Sequence, residues 1–233
     1  MRLDKPRWRR LTVKIREKMK DIAIYGAGGF GKEVACLIKR INEKDPTWNL
    51  IGFFDDNTAL KGKMISHFGP CLGGKDALDS YHKELAVVMA LGNSLVVKRL
   101  VESICNEKVS YPNLIDRSFY LADQETFKIG KGNIIQGPGA ATCDISIGDF
   151  NVLNGSVVIG HDVTIGDYNT FMPAVRISGE VELGDCNFMG VGSIILQQIK
   201  VGNYVRLGAG SVLMTKPKNG NLYLGVPAKR TEL

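Results

Sequence analysis

The residues best suited to chemistry lie in two short motifs. His161 and Asp162 are adjacent in IGHDVT, and a neighbouring carboxylate can orient an imidazole or stabilise its protonated form. This pair indicates a general base. Earlier in the chain, GAGGFG at 26–31 fits the GxGxxG turn, whose small residues let backbone N–H groups approach a diphosphate at a helix N-terminus.

Alternating strands and helices are predicted around the glycine motif. An apolar run at 22–25 precedes it, and apolar residues at helical spacing follow it at 32–41. Asp55 and Asp56 close the next predicted strand, 24 residues after Gly31, where an acid can bond a ribose hydroxyl. The segment therefore predicts a small parallel α/β domain, and its motifs fit NAD and a nucleotide diphosphate equally well.

From Ile129 the chain repeats every six residues. Of the fifteen positions at this spacing up to Leu213, fourteen are large and apolar, and glycine follows eight of them. A period of six does not fit an α-helix, and it predicts a triangular solenoid of four to five coils with glycines at corners that need permissive backbone angles. We expect Ile159 to point inward and His161 to project outward from a corner.

Composition excludes several classes of protein. The chain has 30 Lys and Arg against 24 Asp and Glu, but residues 1–18 hold eight bases and two acids, which leaves 22 of each sign in the rest. Nucleic acid is therefore not an expected partner of the folded part. Five scattered cysteines without a CxxC pair argue against a zinc site or a disulfide framework, and they predict a metal-free protein of the reducing cytoplasm. No apolar run approaches the ~20 residues of a membrane span.

Together these motifs resemble the bacterial sugar O- and N-acyltransferases that join a small nucleotide-sugar-binding domain to a left-handed parallel β-helix. Members with a similar pattern are the acetyltransferases of nucleotide-linked 4-amino-4-deoxy sugars, of the bacillosamine and perosamine type, and the sialic acid O-acetyltransferases. The resemblance rests on YGAGGFGKEV, FFDDN, ALGNS, IGHDVTIGD, SGEVELGD, GVGSII, LGAGSVL and GVPAKR. It implies a basic extension at 1–18, a Rossmann-like domain at 19–112 and a left-handed β-helix with a C-terminal tail at 113–233.

The resemblance also implies roles for individual residues. His161 is expected to act as general base on the acceptor amine or hydroxyl, with Asp162 supporting it. Acetyl-CoA is expected to lie between neighbouring solenoids of a homotrimer. The implied nucleotide-sugar contacts are Gly28, Gly29, Phe30, Gly31, Asp55, Asp56, Gly92, Asn93 and, at the acceptor sugar, Asn154. The implied acetyl-CoA contacts are Gly179, Val191 and Ala209, with Lys229 and Arg230 near the CoA phosphates.

Two positions depart from the family pattern. Many relatives carry a second histidine nine residues after the first, where this chain has Thr170. The usual Pro-Gly-Ala corner is Pro173, Ala174 and Val175 here, which either narrows the cofactor groove or reflects a different corner conformation.

The leading hypothesis is direct transfer of an acetyl group from acetyl-CoA to a nucleotide-linked amino sugar. A covalent intermediate on cysteine is not expected, because no cysteine has a neighbouring base that could activate it as a nucleophile. Cys143, for example, has no adjacent histidine in the sequence. The alternative acceptor is a hydroxyl of sialic acid or another free sugar. An NAD-dependent oxidoreductase would leave the hexad repeat and His161 without a purpose, and a scaffold would bind no acetyl-CoA. Residues 1–18 are expected to precede the enzyme proper. The alternative, suggested by Trp8 and Leu11 among the arginines, is a tether to an anionic membrane.

Overall fold

The computed structural model describes residues 19–232, so the basic segment 1–18 and the expectations attached to it lie outside the described residues. Two compact units are present. The first comprises 19–90 and 104–111, and the second comprises 91–103 and 112–232. The segment 91–103 thus groups with the second unit, although the boundary drawn from the sequence at 112 and 113 would put it in the first.

The first unit contains a six-stranded sheet in the order β3-β4-β2-β1-β5-β6. All neighbouring strands pair in parallel except β3 and β4. The strands are β1 Lys20–Tyr25, β2 Trp48–Phe54, β3 Met64–Ile65, β4 Gly69–Gly73, β5 Leu85–Met89 and β6 Val109–Ser110. The unit also holds helices α1 Gly29–Lys44 and α2 Lys75–Asp79 and a 3₁₀ turn Thr58–Leu60, whereas helix α3 Ser94–Ser103 belongs to the second unit.

The order of the strands reverses at β1. The chain moves from β1 to β2 and β4 on one side and then to β5 on the other, so the carboxyl end of β1 is the topological switch point where α/β folds bind ligands. The glycine turn at 26–31 follows β1 directly, and Asp55 and Asp56 follow β2 at the same edge of the sheet. None of the helices in 19–232 is long and apolar enough to cross a membrane.

The second unit is a three-faced parallel β-helix of the left-handed type. The first face consists of β7 Leu114–Ile115, β10 Ile134–Ile135, β13 Val152–Leu153, β16 Thr170–Phe171, β19 Phe188–Met189, β22 Arg206–Leu207, β24 Leu222–Leu224 and the antiparallel β25 Lys229–Thr231. The second face consists of β8 Phe119–Leu121, β11 Gly139–Ala141, β14 Val158–Ile159, β17 Arg176–Ile177, β20 Ile194–Ile195 and β23 Val212–Leu213. The third face consists of β9 Lys128–Ile129, β12 Ser146–Ile147, β15 Thr164–Ile165, β18 Glu182–Leu183 and β21 Lys200–Val201.

A constant register relates the successive coils. Leu153 pairs with Phe171 on the first face, and pairs with the same separation recur on the other two faces. The solenoid begins earlier than the hexad repeat suggested, because Leu114 already pairs with Ile134 across a first coil that is longer than the later ones. That longer spacing hides the first coil from a search for strict sixes.

The inside of the solenoid contains a polar column that the sequence analysis missed. Asn133, Asn151, Asn169 and Asn187 occupy equivalent positions in successive coils and are 0% exposed. The backbone N–H of each of the last three donates at 2.8 Å to the side-chain oxygen of the asparagine one coil earlier. Each side-chain Nδ2 donates at 2.9 Å to the carbonyl oxygen of a glycine in the equivalent corner of the following coil. Because every polar atom finds a partner, the ladder fixes the register of the coils without a desolvation penalty.

The prediction that the corner glycines are needed for permissive backbone angles is wrong. Gly166, which follows an inward residue, has no left-handed backbone angle, and the left-handed position comes two residues later at Tyr168, with φ 57°. A Cβ atom on Gly166 would instead lie 2.3 Å from Oδ1 of Asp185 and 2.8 Å from the carbonyl oxygen of Gly184 in the next coil. Glycine is required here because successive coils approach closely.

We predict effects of different size for two buried polar residues. Asn169→Ala removes the partners of the Asn187 N–H and the Gly184 carbonyl, and leaving both unpaired lowers the free energy of unfolding by about 2–5 kcal/mol. Ser193 is 0% exposed, and its hydroxyl has no hydrogen-bond partner among residues 19–232, so Ser193→Ala changes stability by less than about 0.5 kcal/mol or increases it. Urea unfolding followed by circular dichroism measures both; equal losses would contradict the ladder's role.

Candidate functional site

His161 lies at the corner between the second and third faces. Ile159 is 0% exposed and points inward, so His161 projects outward as the hexad spacing predicts, with 49% of its side chain exposed. Nδ1–H donates to Oδ2 of Asp162 over 2.8 Å. With the proton assigned to Nδ1 because a carboxylate only accepts, Nε2 carries the lone pair and can take a proton.

Backbone geometry holds Asp162 beside the imidazole. Asp162 has a left-handed φ of 57°, which short polar residues tolerate better than most. Its N–H donates to the carbonyl oxygen of Cys143 at 3.1 Å. Cys143 therefore precedes His161 by one coil in the same column of the corner, a proximity that their separation in the sequence concealed.

Gly179 makes room for the imidazole from the following coil. A Cβ atom at this position would lie 2.4 Å from Nε2 and 2.6 Å from Cε1 of His161. Any side chain would therefore displace the ring. The structure brings Gly179, predicted as an acetyl-CoA contact, against the proton-accepting edge of His161.

A second acid continues the corner column beyond Asp162. The N–H of Glu180 donates to the carbonyl oxygen of His161 at 2.8 Å, so Glu180 occupies the position of Asp162 one coil later. Hydrogen bonds from the side chains of Gln198 and Gln197 keep the pKa of the Glu180 carboxyl below its usual value. Glu180 is not among the site residues predicted from the sequence, and its separation from Asp162 by three complete hexads is the signal that could have found it.

The glycine turn of the first unit depends on a close contact between strand and helix. A Cβ atom on Gly31 would lie 2.0 Å from the carbonyl oxygen of Gly26, which itself has φ 113°. Gly28 and Gly29, at the start of α1, are exposed and have open space where a side chain would be. Backbone groups at this helix N-terminus can therefore be approached by an anion. Phe30 is half-buried in the first turn of α1.

Asp55 supports the glycine turn from the neighbouring strand. Its Oδ2 accepts the N–H of Ala27 at 2.8 Å, and its Oδ1 accepts the N–H of Asn57 at 2.9 Å. The carboxylate thus ties the end of β2 to the turn after β1. A hydrogen bond from backbone to side chain therefore joins the glycine turn and Asp55, the two predicted parts of the nucleotide site.

Asp56 is held by different partners. Its Oδ1 accepts from the Tyr25 hydroxyl at 2.6 Å and from the N–H of Lys75 at 3.0 Å. Burial, reinforced by the hydrogen bond to Asp56, raises the pKa of Tyr25, so the hydroxyl stays protonated and donates. A cavity of about 300 Å³ lies beside Asp55 and Asp56 and is also lined by Lys61 and Lys75. Its size and mixed charge suit a polar small molecule.

Asn93 and Asn154 have structural contacts of their own. Oδ1 of Asn93, after the exposed Gly92, accepts the N–H of Leu95 at 3.0 Å and so caps α3. Asn154 begins the corner after β13, and its Nδ2 donates to the carbonyl oxygen of Phe171 at 3.0 Å. Within the second unit, these two side chains are thus fixed before any ligand arrives.

The remaining predicted acetyl-CoA residues occupy two other places on the second unit. Val191 and Ala209 lie in one column of the corner between the first and second faces, and Val191 is 47% exposed. Lys229 and Arg230 lie on the terminal strand β25, where Arg230 pairs with Glu232 at 3.1 Å. Gly179 belongs to the His161 corner, so the predicted contacts are distributed over more than one corner.

The two departures from the family pattern have simple local descriptions. Thr170 lies in β16 on the first face, half-buried, and pairs with Phe188 of the next coil. Ala174 adopts a left-handed φ of 64°, close to the 66° of Ser156 and the 65° of Gly192 at equivalent positions. The alanine therefore keeps the corner conformation of its neighbouring coils. No group of three or more potential metal ligands occurs within 19–232.

Comparisons with known proteins match the chain to one family model and to several solved structures. Residues 21–104 match the family model of the PglD N-terminal domain. A comparison with curated proteins gave no match.

Several solved structures are similar over most of the chain. WeeI from Acinetobacter baumannii AYE has a TM-score of 0.81 at 27% identity, over 91% of this chain and 100% of that one. The acetyltransferase domain of PglB from Neisseria gonorrhoeae FA1090 has a TM-score of 0.79 at 25% identity, over 91% and 100%, and it has also been solved with acetyl coenzyme A. PerB from Caulobacter crescentus, in complex with CoA and GDP-perosamine, shares the fold with a TM-score of 0.77 at 24% identity, over 91% and 97%.

Proposed function

We propose that the chain transfers an acetyl group from acetyl-CoA to the amine of a nucleotide-linked 4-amino-4-deoxy sugar, as a member of the nucleotide-sugar acetyltransferases that join a PglD-type N-terminal domain to a left-handed β-helix. The observation that carries the proposal is the exposed imidazole of His161. Its Nδ1–H is bonded to Asp162 at 2.8 Å, and its Nε2 edge faces the backbone of Gly179.

The chemistry that this arrangement supports is direct transfer. The free amine attacks the thioester carbonyl carbon, and Nε2 of His161 takes the proton released as the C–N bond forms. The C–S bond then breaks, and the leaving sulfur takes the proton back from the imidazolium. Asp162 holds the ring orientation throughout and stabilises its transient positive charge. The products are the amide and CoA with a free thiol.

The first unit is proposed to hold the nucleotide. The open N-terminus of α1 at Gly28 and Gly29 suits the diphosphate, since backbone N–H groups and the helix dipole favour anions there. Asp55 fixes this turn through Ala27, and the cavity beside Asp55 and Asp56 offers room for the remainder of the nucleotide. Gly92 and Asn93 are proposed as further contacts on the basis of the family pattern.

Replacing the base is expected to separate catalysis from binding. His161→Ala removes the proton acceptor and lowers kcat about 10²- to 10⁴-fold, while the Kd for the nucleotide sugar stays within about twofold. Steady-state kinetics and isothermal titration calorimetry measure the two quantities. His82→Ala, an exposed histidine of the first unit, is the matched control and keeps wild-type kcat. Near-wild-type turnover in His161→Ala would refute the assignment.

The acceptor class is tested by nucleotide binding. An enzyme for nucleotide-linked sugars binds UDP or GDP measurably in isothermal titration, whereas an O-acetyltransferase of sialic acid or another free sugar ignores both. A panel of UDP- and GDP-linked 4-amino sugars then identifies the substrate by acetyl-CoA consumption. Absence of nucleotide binding together with acetylation of a free sugar would favour the alternative acceptor.

We also infer that the enzyme is a homotrimer with acetyl-CoA bound between neighbouring β-helices, where Val191, Ala209, Lys229 and Arg230 are the proposed contacts. The outward side of the second face supports this inference, because Tyr120 is 65% exposed and Ile194 and Val212 are partly exposed in the single chain. Multi-angle light scattering is expected to give three times the chain mass at micromolar concentration. A monomer would contradict the inference.

A further inference from the structure

The corner that carries His161 has a negative charge that the proposed proton transfer does not use. Glu180 lies one coil beyond Asp162, and its N–H donates to the His161 carbonyl oxygen at 2.8 Å. Its neighbour Gly179 is packed against the Nε2 edge of the imidazole. Glu180 is therefore part of the backbone that borders the proton-accepting side of His161.

The carboxylate of Glu180 is fixed but not neutralised. Nε2 of Gln197 donates to Oε1 at 2.8 Å, and Nε2 of Gln198 donates to Oε2 at 3.0 Å. Both glutamines come from the next coil and carry no charge. Among residues 19–232 no lysine or arginine forms an ion pair with Glu180, whereas Glu182, two residues later, pairs with Lys200 at 2.8 Å.

The charges around this corner favour a cation. Asp144 occupies the same column one coil before Asp162 and shares its left-handed backbone conformation. On the third face, a groove of about 1130 Å³ is lined by both Asp162 and Glu180, together with Glu182, Lys200 and Lys216. Lys200 is paired with Glu182, and Lys216 alone does not balance the carboxylates of Asp162 and Glu180, so the groove keeps a net negative charge when His161 is neutral.

We propose that Glu180 is a specificity-determining residue that attracts and orients the ammonium form of the acceptor beside His161, so that the enzyme selects an amine over a hydroxyl. This inference rests on the proposed acetyl transfer. An amino sugar arrives largely protonated near neutral pH, and its ammonium group is attracted by a fixed carboxylate, whereas a hydroxyl gains much less from that charge. The ammonium releases one proton to water before the free amine attacks, and His161 takes the second proton during attack.

The decisive variant is Glu180→Gln, which keeps the size of the side chain and removes its charge. With the best amine acceptor from the UDP- and GDP-linked panel, we expect KM for that acceptor to rise about tenfold, the loss of one charge-assisted contact. We expect kcat and the KM for acetyl-CoA to stay within about twofold. With the matching 4-hydroxyl sugar, any residual turnover is expected not to change.

Glu182→Gln/Lys200→Gln is the matched control, because it removes a carboxylate together with the cation paired with it and so leaves the net charge of the same groove unchanged. It is expected to keep wild-type KM for the acceptor. Raising NaCl from 50 to 500 mM is expected to lower kcat/KM of the wild type and of this double variant more than that of Glu180→Gln, because salt screens exposed charges.

A second variant separates the charge from its fixed orientation. Gln197→Ala/Gln198→Ala keeps the carboxylate but removes both donors, and it is expected to raise KM for the amine by a smaller factor than Glu180→Gln. Circular dichroism of each variant confirms folding. An unchanged KM in a folded Glu180→Gln protein, a loss confined to kcat, or an equal loss with the hydroxyl sugar would overturn the proposal. Absence of acetyl transfer by the wild type would instead refute the proposed function.

Discussion

The constraint on which the second unit depends is the stacking of its coils in register, most of them equal in length. Each inward residue packs on its equivalents in the coils before and after it, as Ile159 does between Ala141 and Ile177. The buried asparagines make this register specific, because a shift of one residue would leave their amides and the corner carbonyls without partners. Burial of apolar columns supplies the stability, and the polar ladder supplies the alignment.

The same register assembles the candidate catalytic corner from residues far apart in sequence. Cys143, His161 and Gly179 form one column, and Asp144, Asp162 and Glu180 form the column beside it. Rise from coil to coil sets the spacing along each column, so the imidazole has fixed neighbours on both sides. The absence of a side chain at Gly179 then becomes a requirement of the histidine one coil earlier. Precise placement of the imidazole follows from the regularity of the solenoid rather than from a dedicated loop.

Sequence reasoning succeeded where a local pattern fixes the structure. The hexad period predicted the solenoid and the outward direction of His161, and the glycine motif predicted the turn between β1 and α1. It failed where contacts join different coils or strands. The glycine at 166 is required by Asp185 in the next coil, and Asp55 bonds the backbone of Ala27 across two strands. Such contacts depend on which residues lie opposite one another in neighbouring coils or strands, and a short stretch of sequence does not show this.

The residues that align the coils differ from those that form the outward surface of the corner, and this difference explains how the corner can vary. Inward positions and the asparagine ladder hold the coils, whereas outward corner positions such as Asp162 and Glu180 have side chains that contribute little to packing because they are exposed. Exchanging one outward residue therefore alters the charge beside His161 at little cost in stability. A departure such as Ala174 likewise keeps the corner conformation of the neighbouring coils while changing the surface. Acceptor preference can thus change coil by coil on an unchanged scaffold, with the imidazole held in place by the same backbone.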